Sequence, residues 1–186
     1  METVLRSAEL IAQTDASVLI TGESGTGKEL VANGIHRLSR RADQPFVPIN
    51  CATLPEALAE SLLFGHRKGA FSGAEQAQEG LIAAAGAGTV FLDEIGELSL
   101  ALQAKLLRFL ENGEITPLGA TRPVRVSARV VAATHRDLSA MVQAGEFRED
   151  VYYRLMVVPV GLRALRQPRE GVAGLAKHFV QPSGAG

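Results

Sequence analysis

The chain has 186 residues, of which 46% are hydrophobic and 21% are charged, and its formal net charge is −1. This composition is typical of a globular domain with its own core, and it argues against a generally basic, nucleic-acid-binding surface, though not against a local patch. The expected absence of a membrane span and of a signal peptide, together with a single cysteine at Cys51, favours a reducing location in the cytoplasm.

The first elements enclose a glycine-rich loop. Residues 2–13 read as a helix, 15–21 as a buried strand and 27–39 as a second helix. Glycines allow backbone angles at which successive N–H groups can turn inward onto phosphate oxygens, and the following helix directs its positive end at the same anion. The alternative is a plain glycine-rich turn. The predicted phosphate-binding residues are Gly22, Glu23, Ser24, Gly25, Thr26, Gly27, Lys28 and Glu29.

Two features of this loop bear on its chemistry. Lys28 supplies a point charge for the outer phosphates. Glu29 departs from the general pattern, in which a Ser or Thr hydroxyl at this position contacts magnesium. Past the helix, the cluster Arg37, Arg40 and Arg41 fits either a nucleic-acid patch or a solvated helix end, and the second interpretation is favoured.

The next strand is predicted at the edge of a sheet. It covers residues 46–49, and Pro48 leaves it one N–H short, which an edge strand tolerates. Asn50 stands at its C-terminal end. Thr53 and Glu56 have the spacing of a capping box, so we expect a helix to begin there and to turn three leucines inward. These leucines are Leu58, Leu62 and Leu63.

Residues 64–80 form a glycine-rich segment, and Phe71 lies in its middle, among the small residues of 69–74. A phenylalanine among small residues is difficult to bury locally. Either it tucks back onto its own domain, or a mobile loop presents it to a partner. The second interpretation is favoured.

A short helix over 81–85 precedes a strand that ends in two carboxylates, Asp93 and Glu94. In open parallel sheets, ligands bind at the C-terminal edge. Asp93 suits a magnesium shell, and Glu94 suits a base that polarises an attacking water. Acidic residues before a helix can also act as an N-cap, which is the alternative interpretation.

The second half of the chain continues the alternation. Thr134 ends a buried strand at the same predicted edge, and Asp137 is expected to cap the next helix. Arg148 and Arg154 either pair within the chain or are offered to a neighbour's nucleotide. The other expected elements are a helix over 99–111, a hairpin over 115–126, strands over 129–134 and 157–160, a helix over 169–180 and a disordered tail.

This alternation predicts a three-layer α/β/α domain with a central parallel sheet. Its motifs resemble those of bacterial sigma-54-dependent transcription activators, which are AAA+ P-loop ATPases. In that family a glutamate normally follows the loop lysine, as Glu29 does here. The other matching stretches are 69–74, which resembles the G-A-F-T-G-A loop, 91–96, which resembles the second nucleotide motif, 132–135, which resembles the first sensor, and 147–155, which resembles the arginine-finger segment.

The resemblance implies an ATPase that uses ATP and Mg²⁺, works as a ring, usually a hexamer, and acts on sigma-54 RNA polymerase. It implies that Asp93 holds magnesium, Glu94 activates water, Asn50 restrains Glu94 and Thr134 is a sensor. Arg148 and Arg154 would act in trans on the next subunit's nucleotide. The implied sigma-54 contact residues are Gly69, Ala70, Phe71, Ser72, Gly73 and Ala74.

Several positions depart from the family pattern. Ser72 stands where the family has Thr, Leu62 replaces a glutamate, and residues 81–83 read Leu-Ile-Ala in place of Arg-Phe-Glu. We expect a core over 1–160 and a degraded linker and tail over 161–186, without the helical lid and without a direct DNA-binding or membrane element. The alternatives are a nucleotide- or sigma-54-binding module with little ATPase activity, and a P-loop ATPase that acts on an unrelated protein.

Overall fold

A computed structural model describes residues 9–162 of the chain. Residues 9–12 are helical, as the first predicted helix requires, whereas the helix predicted over 169–180 and the tail lie outside the described residues. Within residues 9–162, no helix is both long and apolar enough to cross a membrane. The strands are β1 (Val18–Thr21), β2 (Phe46–Asn50), β3 (Gly65–His66), β4 (Gln78–Glu79), β5 (Thr89–Asp93), β6 (Glu114–Ile115), β7 (Val124–Arg125), β8 (Arg129–Thr134) and β9 (Val158–Gly161).

Five of these strands form one parallel sheet in the order β2-β5-β8-β1-β9. The strand that carries Pro48 lies at its edge, so that prediction is confirmed. The helices are α1 (Lys28–Arg37), α2 (Ala59–Phe64), α3 (Leu81–Ala84), α4 (Leu100–Asn112), α5 (Leu138–Gln143) and α6 (Glu149–Leu155), with 3₁₀ turns at Cys51–Thr53 and Ile95–Glu97.

Alternation along the central strands separates two cores, one on each face of the sheet. Ile20 and Phe91 pack with Ile35 of α1, whereas Leu19 and Leu92 pack with residues of the other helices. Successive side chains of a strand point to opposite faces, so strands buried on both sides read as nearly continuous apolar runs. The predicted three-layer architecture is therefore confirmed.

The register of the sheet brings polar residues together at its C-terminal edge. Asn50 lies beside Asp93 on the neighbouring strand, and Thr21, the last residue before the glycine-rich loop, lies beside Thr134. Because the strands are parallel, all their carboxyl ends meet at this edge.

The predicted capping box at Thr53 is wrong. Thr53 ends a 3₁₀ turn in which its hydroxyl donates to Asn50 O, and α2 begins only at Ala59. Pro55 disfavours helical angles at the residue before it, and Leu54 is accordingly extended, with ψ 123°. Leu58 is consequently not turned inward: it is 47% exposed. Leu63 is buried as predicted.

Other boundaries agree more closely with the sequence. Ser99 caps α4, whose end is set by Gly113 in the left-handed conformation, and Asp137 caps α5. The hairpin predicted over 115–126 is present as the antiparallel pair β6 and β7. The last strand of the sheet is shifted by one residue from the prediction, to Val158–Gly161.

Two arginines hold loops together at the opposite, N-terminal edge of the sheet. Arg41 donates to the carbonyls of Ala87 and Ser127, each across 2.6 Å, and pairs with Asp15 at 3.0 Å. The Arg41 guanidinium holds the pKa of Asp15 below its usual value. Arg41 therefore has a structural role rather than the solvated one expected from the sequence.

Arg129 is 2% exposed and donates to three backbone carbonyls, those of Ile11, Ala12 and Ala16. We expect Arg129→Met, which keeps the apolar stem, to lower the free energy of unfolding by about 3 kcal/mol, because it leaves these buried and partly buried acceptors unpaired. Urea unfolding measures the change. Arg122→Met, at an exposed arginine, serves as the control, and an equal effect of both variants would contradict the structural role of Arg129.

Candidate functional site

The glycine-rich loop connects β1 to α1, the arrangement that a phosphate-binding loop requires. Gly25 and Gly27 have φ angles of 78° and 84°, in the region that favours glycine. Thr26 Oγ1 donates to Glu23 O across 2.7 Å, which closes the loop on itself. The N–H of Gly22 donates to Thr134 O, and this bond joins the loop to the end of β8.

Lys28 is directed back into its own loop rather than toward solvent. It is only 5% exposed, and its Nζ donates to the carbonyls of Gly22 and Glu23, each at 3.1 Å. The same ammonium lies 3.7 Å from Glu94 Oε1. A buried lysine at the centre of the loop therefore faces the carboxylate of Glu94, which directly follows β5.

Glu94 is held from two sides. Its Oε1 faces Lys28, and its Oε2 accepts a hydrogen bond from His135 Nδ1 across 2.6 Å. A carboxylate only accepts, so this contact places a proton on Nδ1. The Glu94 side chain is 14% exposed and thus sheltered from most of the solvent.

The backbone at Glu94 is unusual. Among the described residues it is the only non-glycine residue with a positive φ, 53° with ψ 49°. This conformation costs roughly 1–2 kcal/mol for an L-residue, and such strain is found most often at functional sites. The preceding Asp93 is half-buried, and its Oδ1 accepts the Glu94 N–H at 2.9 Å. This bond is local, and the Glu94 side chain makes no capping bond to the short 3₁₀ turn that follows it, so the N-cap alternative does not explain both carboxylates.

Asn50 and Thr134 flank this pair with their side chains engaged locally. Asn50 Oδ1 accepts the N–H of Ala52, and the contacts of the Glu94 carboxylate are instead with Lys28 and His135. Thr134 is fully buried, and its hydroxyl accepts the N–H of Arg136. The sheet thus places both residues at the predicted edge, and their roles toward Glu94 and a phosphate stay predictions.

A cleft of about 990 Å³ opens beside the loop. Its lining combines loop residues with the polar segment after β8 and with apolar side chains from the end of the described chain. Representative lining residues are Gly22, Thr26, His135, Tyr152, Met156 and Leu162. This size and this mixed lining suit a nucleotide-sized ligand.

Arg148 and Arg154 lie at the two ends of α6. Their side chains are 41% and 55% exposed, and neither is among the described residues that line the cleft. Arg148 makes a two-pronged contact with Asp150, at 3.0 and 2.8 Å, and Arg154 lies 3.9 Å from Glu111. The intrachain pairing considered from the sequence is present for Arg148, while both side chains stay accessible to a neighbour.

The segment around Phe71 is more ordered than its composition suggests. Strands β3 and β4 pair at its base, and Gly69 N–H donates to Ala74 O across 2.8 Å. Phe71 is 40% exposed. Its ring packs edge-on against the His66 ring, with 4.9 Å between the two ring centroids. His66 is itself fixed by Ser61 Oγ at 2.7 Å and Gln76 O at 3.0 Å. Phe71 thus rests partly on its own domain.

The family assignment follows from comparison with known proteins. The family model described as the Sigma-54 interaction domain matches residues 1–161. The chain belongs to this family. The regulatory protein AtoC of Escherichia coli is 54% identical over 181 residues, and NorR2 of Cupriavidus necator, a nitric oxide reductase transcription regulator, is 54% identical over 178. These alignments cover 97% and 96% of this chain but only 39% and 34% of the relatives.

Solved structures agree with this assignment. NtrX from Brucella abortus superposes with a TM-score of 0.85 at 37% identity, over 96% of this chain and 40% of that one. An NtrX structure in complex with ATP gives a TM-score of 0.82 over the same shares. A P-loop NTPase domain of a sigma-54 activator from Escherichia coli gives 0.58 at 20% identity, over 86% of this chain and 92% of that one. The fold of this sigma-54 interaction domain is therefore that of an AAA+ P-loop NTPase.

Three residues of this sigma-54 interaction domain that contact the site were not selected from the sequence. His135 binds Glu94, Arg136 donates to Gly96 O and pairs with Glu146, and Gln103 donates to Leu98 O. His135 could have been found, since it directly follows Thr134 in the sensor segment. Gln103 also left a signal, because it interrupts the apolar stripe of α4 one turn before Leu106.

Cys51 directly follows Asn50 at the edge of the site in this sigma-54 interaction domain, and its reactivity reports how tightly this region is packed. It is 5% exposed, and burial, together with the nearby Asp93 and Glu94 carboxylates, raises its pKa to about 12. At pH 8 the thiolate fraction is then about 10⁻⁴, so we expect labelling by a thiol reagent to be more than about 100-fold slower than in urea. Rapid labelling of the folded chain would contradict this burial.

Because the folded-state pKa of Cys51 is raised, the stabilisation from the buried neutral thiol is present below about pH 9 and declines as the pH rises from there toward 12.

Proposed function

We propose that this chain is the ATP-binding and ATP-hydrolysing core of a sigma-54-dependent transcription activator, which remodels sigma-54 RNA polymerase in the cytoplasm to open promoters. The observation that carries the proposal is the meeting of Lys28 and Glu94 at the sheet edge, 3.7 Å apart. A phosphate-binding lysine and a base that polarises water must lie within reach of the same γ-phosphate.

The residues present fit a nucleotide and its magnesium ion. Gly25 and Gly27 allow the loop to approach phosphate oxygens closely, and the buried Lys28 is already aimed into the loop. Asp93 offers a half-buried carboxylate at the adjacent strand end. Mg²⁺, when bound, neutralises charge on the β- and γ-oxygens. Asp93 would hold it, and Glu29 stands where other P-loop proteins have a hydroxyl ligand.

In this mechanism Glu94 orients and polarises the attacking water. His135 and Lys28 supply the contacts that hold its carboxylate before phosphate arrives. Asn50 would take over that restraint until the γ-phosphate is sensed through Thr134. Because Glu94 is already in a strained backbone conformation, a small shift of the β8 end can re-aim its side chain.

Hydrolysis is proposed to need a second copy of the chain. Arg148 and Arg154 have exposed side chains on α6, 41% and 55% exposed, as arginines that reach a neighbour's nucleotide must have. The assembly is a ring, with a hexamer expected for the complete domain. An isolated subunit should bind ATP but hydrolyse it slowly, since the transition-state charge lacks its arginine.

Equilibrium binding of labelled ATP, measured together with sedimentation, tests this function. The proposal expects nucleotide binding by single subunits, with assembly rising with protein concentration. Binding without assembly or hydrolysis at any concentration would favour the alternative, a nucleotide- or sigma-54-binding module. Lys28→Ala, which removes the central ammonium of the loop, should abolish binding in either case.

The segment at residues 69–74 is proposed to contact sigma-54 through Phe71. We expect Phe71→Ala to weaken capture of purified sigma-54, in the presence of an ATP transition-state analogue, by about 30-fold, the loss typical of a central interface aromatic. Leu58→Ala removes an apolar side chain of similar exposure, 47% against 40% for Phe71, outside the loop and serves as the control. Undiminished capture by the Phe71 variant would contradict this contact.

A further inference from the structure

Gln103 is the buried polar side chain that connects the catalytic turn to the arginine segment. It lies on α4, is fully buried, and occupies the core-facing stripe of that helix with Leu106. A buried amide is costly unless its donors and acceptor are all engaged. Here they are: its Nε2 donates to Leu98 O and Glu146 O, and its Oε1 accepts from Arg148 N–H.

The partners of this amide belong to two functional segments. Leu98 directly follows the 3₁₀ turn Ile95–Glu97, which begins immediately after Glu94. Its carbonyl receives the Gln103 amide at 2.8 Å. On the other side, Gln103 holds the backbone on both sides of Phe147, with 3.3 Å to Glu146 O and 2.8 Å to Arg148 N.

Arg136 forms a second connection between the same two segments. Its guanidinium donates to Gly96 O at 3.3 Å and to Glu146 Oε2 at 3.1 Å, and lies 3.5 Å from Glu97 Oε1. Its own N–H donates to the Thr134 hydroxyl at 3.0 Å. Arg136 directly follows His135, which binds Glu94. Polar contacts, together with the covalent link from His135 to Arg136 and the Glu146 residue itself, therefore connect Glu94 to the backbone of Arg148.

The backbone of Arg148 is therefore held in place, whereas its side chain is not. Phe147 and Val151, on either side of it, are buried in the core, at 2% and 0% exposure, whereas the Arg148 guanidinium is accessible. A displacement of the turn after Glu94 would be transmitted through Gln103 as a displacement of the Arg148 backbone. Packed elements with few alternative arrangements transmit such shifts.

We propose that Gln103 is a positioning residue that holds the Arg148 backbone against the Glu94 turn, so that the nucleotide state of one subunit's cleft sets where that subunit presents Arg148 to the next. This inference rests on the proposed function, because it requires Arg148 to act in trans. It assigns to Gln103 no contact with the nucleotide.

Gln103→Leu tests this positioning role, since it keeps the approximate volume and removes all three hydrogen bonds. The variant should bind ATPγS in its own cleft like the wild type while kcat falls about tenfold or more, within the range of ordinary coupling between sites. Leu106→Ala, one turn along α4, is the matched control, because it weakens the same core without touching the amide contacts. Equal kcat values for the two variants, at matched unfolding midpoints, would overturn the proposal.

Mixing of subunits separates positioning from simple loss of stability. A Glu94→Gln subunit cannot hydrolyse but still offers a correctly held Arg148, and a Gln103→Leu subunit has the reverse defect. Equal mixing should restore about one quarter of the wild-type rate, the share of intact clefts that face an intact arginine when sites act independently. A mixture of Arg148→Ala and Glu94→Gln subunits should recover equally. Recovery with Arg148→Ala but not with Gln103→Leu would overturn the role of Gln103.

If neither mixture recovers, the trans role of Arg148 has failed, and a measurement without turnover decides the role of Gln103. Hydrogen exchange over residues 144–150 is compared with and without ATPγS. The proposal expects the nucleotide to change exchange in the wild type and to leave it unchanged in Gln103→Leu. The same change in both proteins, or no change in the wild type, would contradict coupling through Gln103.

Discussion

Replacing Glu94 by Gln should abolish hydrolysis and leave ATP binding intact. A positioned base contributes about 10²–10⁴ to such a step, so kcat should fall by that factor. Binding should be retained or tightened, because the substitution removes a negative charge that lies 3.7 Å from Lys28, beside the place of the γ-phosphate. The measurements are steady-state phosphate release and equilibrium binding of a fluorescent ATP analogue.

The control for this variant is Glu114→Gln. It makes the same change in charge at a carboxylate that pairs with Arg125 on the β6–β7 hairpin, away from the cleft. Normal activity in Glu114→Gln together with loss in Glu94→Gln would assign the effect to the position and not to the charge of the chain. Retained hydrolysis in Glu94→Gln would contradict the role of this carboxylate as the base.

Arg148→Ala should reduce hydrolysis by about 10³-fold or more in the assembled protein, the range found where arginine fingers are quantified. ATP affinity of single subunits should not change, because the Arg148 guanidinium contacts Asp150 and not the phosphate-binding loop or Glu94 of its own subunit. Phosphate release is measured at concentrations where sedimentation shows the same assembly as for the wild type. Arg125→Ala, at a side chain that is 82% exposed, is the matched control.

The contact between Arg148 and Asp150 adds a detail to this expectation. The guanidinium of Arg148 accounts for the lowered pKa of the Asp150 carboxyl, and this carboxyl keeps the arginine within its own subunit. Both side chains are exposed, so the pair is weak enough to open when a neighbour's phosphate competes for the guanidinium. Loss of ATP binding by isolated Arg148→Ala subunits would contradict a role in trans.

Much of the site geometry could be predicted because it depends on strand ends. Each of three buried apolar runs identifies a parallel strand and its C-terminal end. The first run precedes Gly22, the second precedes Asp93, and the third ends at Thr134. Since parallel strands share one edge, these residues were expected together, and the sheet brings them there. The positive φ of Glu94 was not predictable from these patterns, because a glutamate carries no signal for the left-handed conformation that glycine usually adopts.

The failures arose where local signals competed with chain geometry or where distant residues meet. At Thr53 the capping pattern was overridden by Pro55, which kept the preceding residue extended. The packing of Phe71 against His66 depends on the pairing of β3 with β4. Each of these strands has two residues, which is too short to produce an alternating hydrophobic pattern in the sequence. The role of Gln103 requires knowledge of which backbone groups reach it across more than 40 residues.

We expect a subunit to bind ATP alone and to hydrolyse it only beside a neighbour. The most direct test is the rate of ATP hydrolysis per subunit, measured as protein concentration rises, with the Glu94→Gln variant as control. The expected rate per subunit is near zero at low concentration, rises as subunits assemble, and stays near zero in the variant. A rate per subunit that is independent of concentration, absent at every concentration, or unaffected by Glu94→Gln would contradict it.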